Sequence, residues 1–302
     1  MKKITIIGTG YVGLVSGAGL ADFGNDVTCL DINLERIKIL LEGKIPFFEP
    51  GLSELVERNV DAKRLHFSTD FSRSINDSEV IFIAVGTPMN SSGISDISAV
   101  KKVAIDIAQN ISSSKVVAIK STVPIGTCVE LESLINSKLK KNVNVHVVSN
   151  PEFLREGAAV RDFLIPDRVV IGSSSKIPID IMKEVYRPLF LNETPQIITN
   201  LPTAETIKYA SNSFLAVKIS FINEIANLCD EIGADVHVVA RAMGLDGRIS
   251  PKFLHPGPGF GGSCFPKDTE ALINVGKQNN VDLKVVKAAS DSNKIQIKKI
   301  IQ

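Results

Sequence analysis

Cys264 lies in the stretch Pro258-Gly259-Phe260-Gly261-Gly262-Ser263-Cys264-Phe265-Pro266-Lys267-Asp268. Three of the four residues from Gly259 to Gly262 are glycine, and without a Cβ the backbone can come close to a ligand. Lys267 and Asp268 follow the thiol three and four residues on. An isolated cysteine is by default a small buried hydrophobe. A thiol in a glycine-rich, charged setting is instead suited to nucleophilic attack and a covalent intermediate. The chain's other glycine cluster is Gly8-Thr9-Gly10-Tyr11-Val12-Gly13, a nucleotide-type loop. A reactive cysteine together with such a loop points to redox chemistry through a thio-intermediate.

Gly8, Gly10 and Gly13 form G-x-G-x-x-G between the apolar run Ile4–Ile7 and an amphipathic stretch. That strand-then-helix context gives the pattern its meaning: a dinucleotide pyrophosphate would sit on the helix's N-terminal amides. Asp31 ends the next apolar run, where a carboxylate would accept the adenosine ribose hydroxyls and repel a 2′-phosphate. Arg36 pulls the other way, since an arginine can bind that phosphate. NAD is the expected cofactor.

Other polar groups stand in apolar settings. Lys208 and Asn212 are one helical turn apart and share a face; the competing reading is a solvated polar face. Asn150-Pro151-Glu152-Phe153-Leu154-Arg155-Glu156-Gly157 follows an apolar run directly. Gly86-Thr87-Pro88 and Ser121-Thr122-Val123-Pro124 each do the same. Ligands of open α/β sheets gather at the carboxyl ends of strands, so these loops are expected to converge on a site containing Glu152 and Glu156.

The elements that must carry these groups are legible as alternation. Strands are predicted at Ile4–Ile7, Asp26–Leu30, Val80–Val85, Lys115–Ile119, Val143–Val148 and Arg168–Ile171. They are rich in Val and Ile, as buried parallel strands are. Helices are predicted at Tyr11–Phe23, Ile97–Gln109, Gly126–Lys138 and Pro178–Arg187. The implied architecture is α/β: a doubly wound parallel, Rossmann-like sheet over residues 1–200. From Pro202 the pattern changes. Ile207, Ala210, Phe214, Val217, Phe221, Ile225 and Leu228 recur three or four apart, which predicts one long helix to about Glu231. Gly233 would stop it. A helix at Val236–Met243 and two more beyond Gly262 complete a mostly helical second domain, residues 201–302.

Composition fits a soluble, two-domain protein: 302 residues, 44% hydrophobic, 22% charged, formal net charge +1. Nothing calls for nucleic acid or a membrane surface as partner, and no run is long enough to span a bilayer. Cys29, Cys128, Cys229 and Cys264 are too dispersed for a zinc site or a disulfide framework, so no metal and a reducing cytoplasm are expected.

Taken together, Gly8–Gly13, Gly86-Thr87-Pro88, Ser121–Pro124, Asn150–Gly157, Pro166–Gly172, Lys208 with Asn212, and Gly259–Asp268 resemble the UDP-glucose 6-dehydrogenase family, in that family's order. The resemblance implies oxidation of a sugar C6 alcohol to a carboxylate with two NAD consumed. It implies Cys264 as nucleophile, Lys208 and Asn212 as oxyanion stabilisers, Asp268 in proton transfer, Glu152 as base for thioester hydrolysis and Thr122 ordering the water. Tyr11, Val12, Thr87, Thr122 and Glu156 are then cofactor contacts. Glu152, Phe153, Leu154, Glu156, Phe253, Leu254, Gly257 and Gly261 are substrate contacts, beside Lys208 and Asn212. Arg248 resembles an arginine given to a neighbouring subunit's site, and the long helix a homodimer interface.

Family members carry a further α/β domain holding much of the uridine site, whereas this sequence stops at Gln302. The expectation is a chain that folds and keeps its NAD pocket but turns over poorly. Three alternatives stay open. One is a dehydrogenase of another nucleotide sugar, such as a UDP-N-acetylhexosamine, UDP-N-acetylmannosamine or GDP-mannose. Another is a two-electron 3-hydroxyacid dehydrogenase, against which the thiol of Cys264 argues. The third is an inactive, dimer-forming NAD-binding fragment.

Overall fold

A computed structural model describes residues 1–90, 93–139 and 142–301. The strands are β1 (Lys3–Ile7), β2 (Asp26–Leu30), β3 (Leu65–Ser68), β4 (Val80–Ile83), β5 (Lys115–Ile119), β6 (Val145–Ser149), β7 (Val169–Ser173) and β8 (Gln196–Thr199). The first helices are α1 (Tyr11–Asp22), α2 (Leu34–Leu41), α3 (Leu52–Asp61), α4 (Phe71–Asp77), α5 (Ser98–Asn110) and α6 (Thr127–Asn136). There follow α7 (Ala159–Leu164), α8 (Lys176–Val185), α9 (Arg187–Leu191), α10 (Leu201–Ile232), α11 (Val236–Gly244), α12 (Phe265–Gln278) and α13 (Lys284–Ile301).

Contacts divide the chain into two units. The first, residues 1–88 and 96–206, is built on one eight-stranded sheet in the order β3-β2-β1-β4-β5-β6-β7-β8. Alternate residues of each central strand feed opposite faces. Ile4, Ile6, Val80 and Phe82 enter one core; Ile7, Ile81 and Ile83 enter the other. Burial on both faces explains why these strands read as unbroken apolar runs. Each such side chain contributes about 1.5–3 kcal/mol relative to exposure. Thr5, the polar exception in β1, donates its hydroxyl to the Ser74 carbonyl at 2.7 Å.

The order reverses between β1 and β4. That switch point opens a crevice at the carboxyl ends of the strands.

One expectation needs correction. The sheet is not wholly parallel: β7 runs antiparallel to β6, with Ser149 opposite Gly172, and β8 then runs parallel to β7. Residues 150–168 carry only the six-residue helix α7, whose Phe163 packs on Gly19 and Phe23 of the α1 region, and then return. The chain enters β7 at the end of the sheet where it left β6.

The second unit comprises residues 89–95 and 207–302, so α10 contributes to both. At 32 residues α10 is about 48 Å long. Ile222, Ala240 and Leu254 form a small core within this unit, with Ile225, Val236 and Met243 packed on it. Much of the apolar series that reveals α10 in the sequence is not on its buried face. Phe214, Phe221 and Leu228 are 64%, 44% and 54% exposed, whereas Lys208, Asn212, Ala216, Ser220 and Asn223 are buried.

Candidate active site

The glycine loop is set by contact, not only by flexibility. A Cβ on Gly13 would lie 1.8 Å from the Gly8 carbonyl oxygen. Around Gly10, by contrast, nothing lies within 4 Å of where a Cβ would be. Gly10 is also the N-cap of α1 and offers it no side-chain cap, so the first amides of that helix remain donors for an anion. An open cradle at the positive end of a helix fits a dinucleotide pyrophosphate.

Asp31 sits beside this loop. One carboxylate oxygen accepts from the Thr9 amide and hydroxyl, each at 2.8 Å, and from Arg36 Nη1 at 3.2 Å. The other accepts from the Asn33 amide at 2.9 Å. Burial pushes the carboxyl up, but the donors from Thr9, Asn33 and Arg36 outweigh it and hold the group below the usual carboxylate range. An ionised Asp31 suits ribose hydroxyls and repels a 2′-phosphate, and it engages the arginine that could otherwise bind that phosphate. Asp31→Ala is therefore expected to release Arg36. The preference for NAD over NADP should narrow by about tenfold or more, near 1.4 kcal/mol. Titration calorimetry with both cofactors checks this, and equal binding of both by the unaltered protein would refute it.

The loops after β4 and β5 are tied together in the same unit. The Thr87 hydroxyl donates to the Thr122 carbonyl at 2.9 Å and Ser121 to the Val85 carbonyl at 2.7 Å. Beyond β6, Asn150 is buried. Its Oδ1 accepts from Lys120 at 3.2 Å and Tyr186 at 2.7 Å, and its amide donates to the Val170 carbonyl at 2.8 Å. Glu152 is buried and accepts from the Leu154 amide at 2.5 Å, while Glu156 is exposed. The Arg168 guanidinium lies over the Phe153 ring at 3.5 Å from its centre.

In the second unit, Lys208, Asn212 and Asp268 are all buried. Asn212 donates to Asp268 at 2.6 Å, and Lys267 pairs with the other oxygen of Asp268 at 2.6 Å. Cys264 is the N-cap of α12 and is exposed, whereas Cys29, Cys128 and Cys229 are buried. The Asp268 amide closes on the Cys264 carbonyl at 2.8 Å, so the first turn of α12 fixes thiol and carboxylate relative to each other. The glycines before it differ in purpose. A Cβ on Gly259 would meet Asn293 Oδ1 at 2.4 Å, while Gly261 faces open space.

The preceding segment lines a cavity of about 380 Å³ with Ile219, Phe253, His255, Pro256 and residues 257–259. Gly257 is held by Asn223 at 2.8 Å and Gln296 at 3.0 Å. Phe253 has φ +64°, a conformation costing a non-glycine residue roughly 1–3 kcal/mol, and its ring packs edge-on to Phe265. Leu254 is buried. Arg248 is exposed and paired with its neighbour Asp246 at 2.6 Å.

Sequence reasoning missed Glu49. It is buried and accepts from Tyr11 at 2.5 Å, Gly157 at 2.8 Å and Ala159 at 2.7 Å. A carboxylate between Phe47-Phe48 and Pro50-Gly51 was the available signal: a charge in an apolar loop. Among the described residues no helix is long and apolar enough to cross a membrane.

Comparison with known proteins finds matches over nearly the whole chain. The NAD binding domain of the UDP-glucose/GDP-mannose dehydrogenase family matches residues 2–190, and its central domain matches residues 202–295. The UDP-glucose 6-dehydrogenase of Rhizobium meliloti is 52% identical over 97% of this chain and 68% of that protein. The UDP-glucose 6-dehydrogenase TuaD of Bacillus subtilis is 50% identical over 98% of this chain and 64% of that protein. Among solved structures, a UDP-glucose dehydrogenase from Pyrobaculum islandicum superposes with a TM-score of 0.94 at 37% identity, covering 98% of this chain and 68% of that one. The chain thus spans about two thirds of the length of these relatives. On these matches it belongs to the UDP-glucose/GDP-mannose dehydrogenase family.

Proposed function

We propose that this protein oxidises the C6 alcohol of UDP-glucose to UDP-glucuronate in two NAD-dependent steps joined by a covalent intermediate on Cys264. The observation that carries this reading is the buried carboxylate of Asp268, held by Asn212 of α10 and by Lys267, on the same first turn of α12 as an exposed thiol. A plain alcohol oxidation needs no such nucleophile.

NAD, when bound, accepts a hydride in each oxidation. The residues do the rest. The Cys264 sulfur adds to the C6 aldehyde, forming a C–S bond, and the oxygen gains a proton as a thiohemiacetal. Loss of that proton and of hydride from C6 leaves a thioester. Water attacks the thioester carbon, the C–S bond breaks, and the thiolate and a carboxylate result. Lys208 and Asn212 stabilise oxygen as it becomes anionic, which fixed donors do best out of water. Asp268 relays protons, Glu152 takes the proton of the attacking water, and Thr122 orders that water. The segment from Phe253 to Gly257, with Gly261, embraces sugar and phosphates, with Phe153, Leu154 and Glu156 as further contacts.

The test is stoichiometry: two NADH formed per UDP-glucuronate released from UDP-glucose, with GDP-mannose and UDP-N-acetylmannosamine as competitors. One NADH and a released aldehyde, or preference for another sugar nucleotide, would refute it.

The exposed aromatic and aliphatic face of α10 supports a homodimer through that helix, to which Arg248 would add a residue in the partner's site. Sedimentation at micromolar concentration is expected to give a dimer; a clean monomer would contradict it.

A further inference from the structure

Glu49 takes no part in the chemistry described, yet it is a buried carboxylate with three hydrogen-bond donors on it. Burial pushes the carboxyl up, and the Tyr11 hydroxyl and the amides of residues 157–160 outweigh that and hold it below the usual range. Its partners come from two places that matter. Tyr11 is the first residue of α1, next to the Gly10 cradle. Gly157 ends the segment that carries Glu152 and Glu156, and Ala159 is the first residue of α7, whose amide would otherwise lack a partner. The Tyr11 hydroxyl also lies 3.3 Å from the Arg155 carbonyl, and its ring packs on Phe47, two residues before Glu49. The other end of the same segment is pinned by Asn150 through Lys120, Tyr186 and Val170.

We infer that Glu49, with Tyr11, is a positioning residue: a clamp that holds the Asn150–Gly157 segment in fixed register with the dinucleotide loop, so that Glu152 is in place for thioester hydrolysis. The role rests on the reading of Glu152 as the hydrolytic base. It predicts a selective defect. Of the cofactor loop, Glu49 touches the Tyr11 hydroxyl and leaves the Gly8–Gly10 cradle to the pyrophosphate, whereas hydrolysis depends on the clamped segment through Glu152. Glu49→Gln keeps the shape but replaces one acceptor oxygen by a donor facing amides. A displaced base costs roughly a hundredfold per ångström.

Two readouts decide it. Hydrogen exchange on the unliganded protein should show faster exchange in E49Q confined to peptides covering residues 153–160, with Tyr11→Phe giving a smaller change at the same place. In rapid mixing with UDP-glucose and NAD, E49Q should give a burst of NADH at near-normal rate. Steady turnover should then be slower by about ten- to hundredfold, with the acyl group retained on Cys264 by intact mass and KM for NAD little changed. Unaltered exchange in E49Q overturns the clamp whatever the reaction. So does an equal loss of burst rate, NAD binding and steady rate, which is the mark of a purely structural residue. If E49Q does not fold, Y11F decides: no change in exchange or in steady rate overturns the proposal. If exchange responds as stated but the unaltered protein forms no glucuronate, the clamp stands and the reading of the reaction falls.

Discussion

Cys264→Ser is expected to lower UDP-glucuronate formation by at least about a thousandfold, the scale on which removal of an enzyme's nucleophile acts. The serine hydroxyl is almost wholly protonated at neutral pH and is a poor nucleophile toward the aldehyde. Its ester would also be a poorer acyl donor to water than a thioester. Folding should be almost unaffected, because Cys264 is exposed at the start of α12 and the substitution opens no cavity. The measurement pairs product analysis with a thermal melt. Near-normal glucuronate production by a variant with unchanged Tm would remove the thioester from the mechanism.

The second large effect is expected at Gly13. Its missing Cβ would stand 1.8 Å from one backbone atom of Gly8 and 2.9 Å from another, so neither neighbour can rotate away. Gly13→Ala must shift the loop or the start of α1. Overpacking of this kind costs about 1–3 kcal/mol of stability, and NAD affinity should fall by roughly a hundredfold, about 2.7 kcal/mol. Gly10→Ala is the control. The protein leaves space there, so its Tm should hold while the added methyl competes with the pyrophosphate and NAD binding weakens. If both variants lose stability equally, the open cradle at Gly10 is not the cofactor's place. Calorimetry and melting curves on the two variants together separate these outcomes.

What the sequence made legible follows from burial. The strands β1, β2, β4 and β5 are covered on both faces, so they appear as short Val- and Ile-rich runs, and their predicted limits fall within two residues of the observed ones. The stretch from Asn33 to Asp77 is different. Its α2, α3, β3 and α4 lie at one side of the sheet, cover a single face each and mix polar with apolar residues, so no run stands out. Glu49 belongs to that stretch and was hidden with it. The long helix teaches a subtler lesson. Its apolar periodicity located α10 correctly, but the side buried in the single chain is the one bearing Lys208, Asn212 and Asn223. Periodicity reports that a helix has two faces; it does not say which one its own chain covers. Likewise the triplet Gly86-Thr87-Pro88 and the quartet Ser121–Pro124 could be placed at strand ends from sequence, while the Thr87 to Thr122 bond that joins them depends on β4 and β5 being neighbours.

The reversed strand β7 has a consequence for how such a protein can diversify. In the parallel crossovers the chain leaves one edge of the sheet and must re-enter at the other, with a handedness that constrains every insertion. Between β6 and β7 it leaves and returns at the same edge, the one where the strands present their carboxyl ends. Extra residues next to Asn150 or Arg168, at the strand ends, would therefore meet no threading requirement and would accumulate beside the ligand crevice. Descendants of this fold could widen or narrow what the crevice accepts by lengthening a single segment, without renegotiating the order of the sheet.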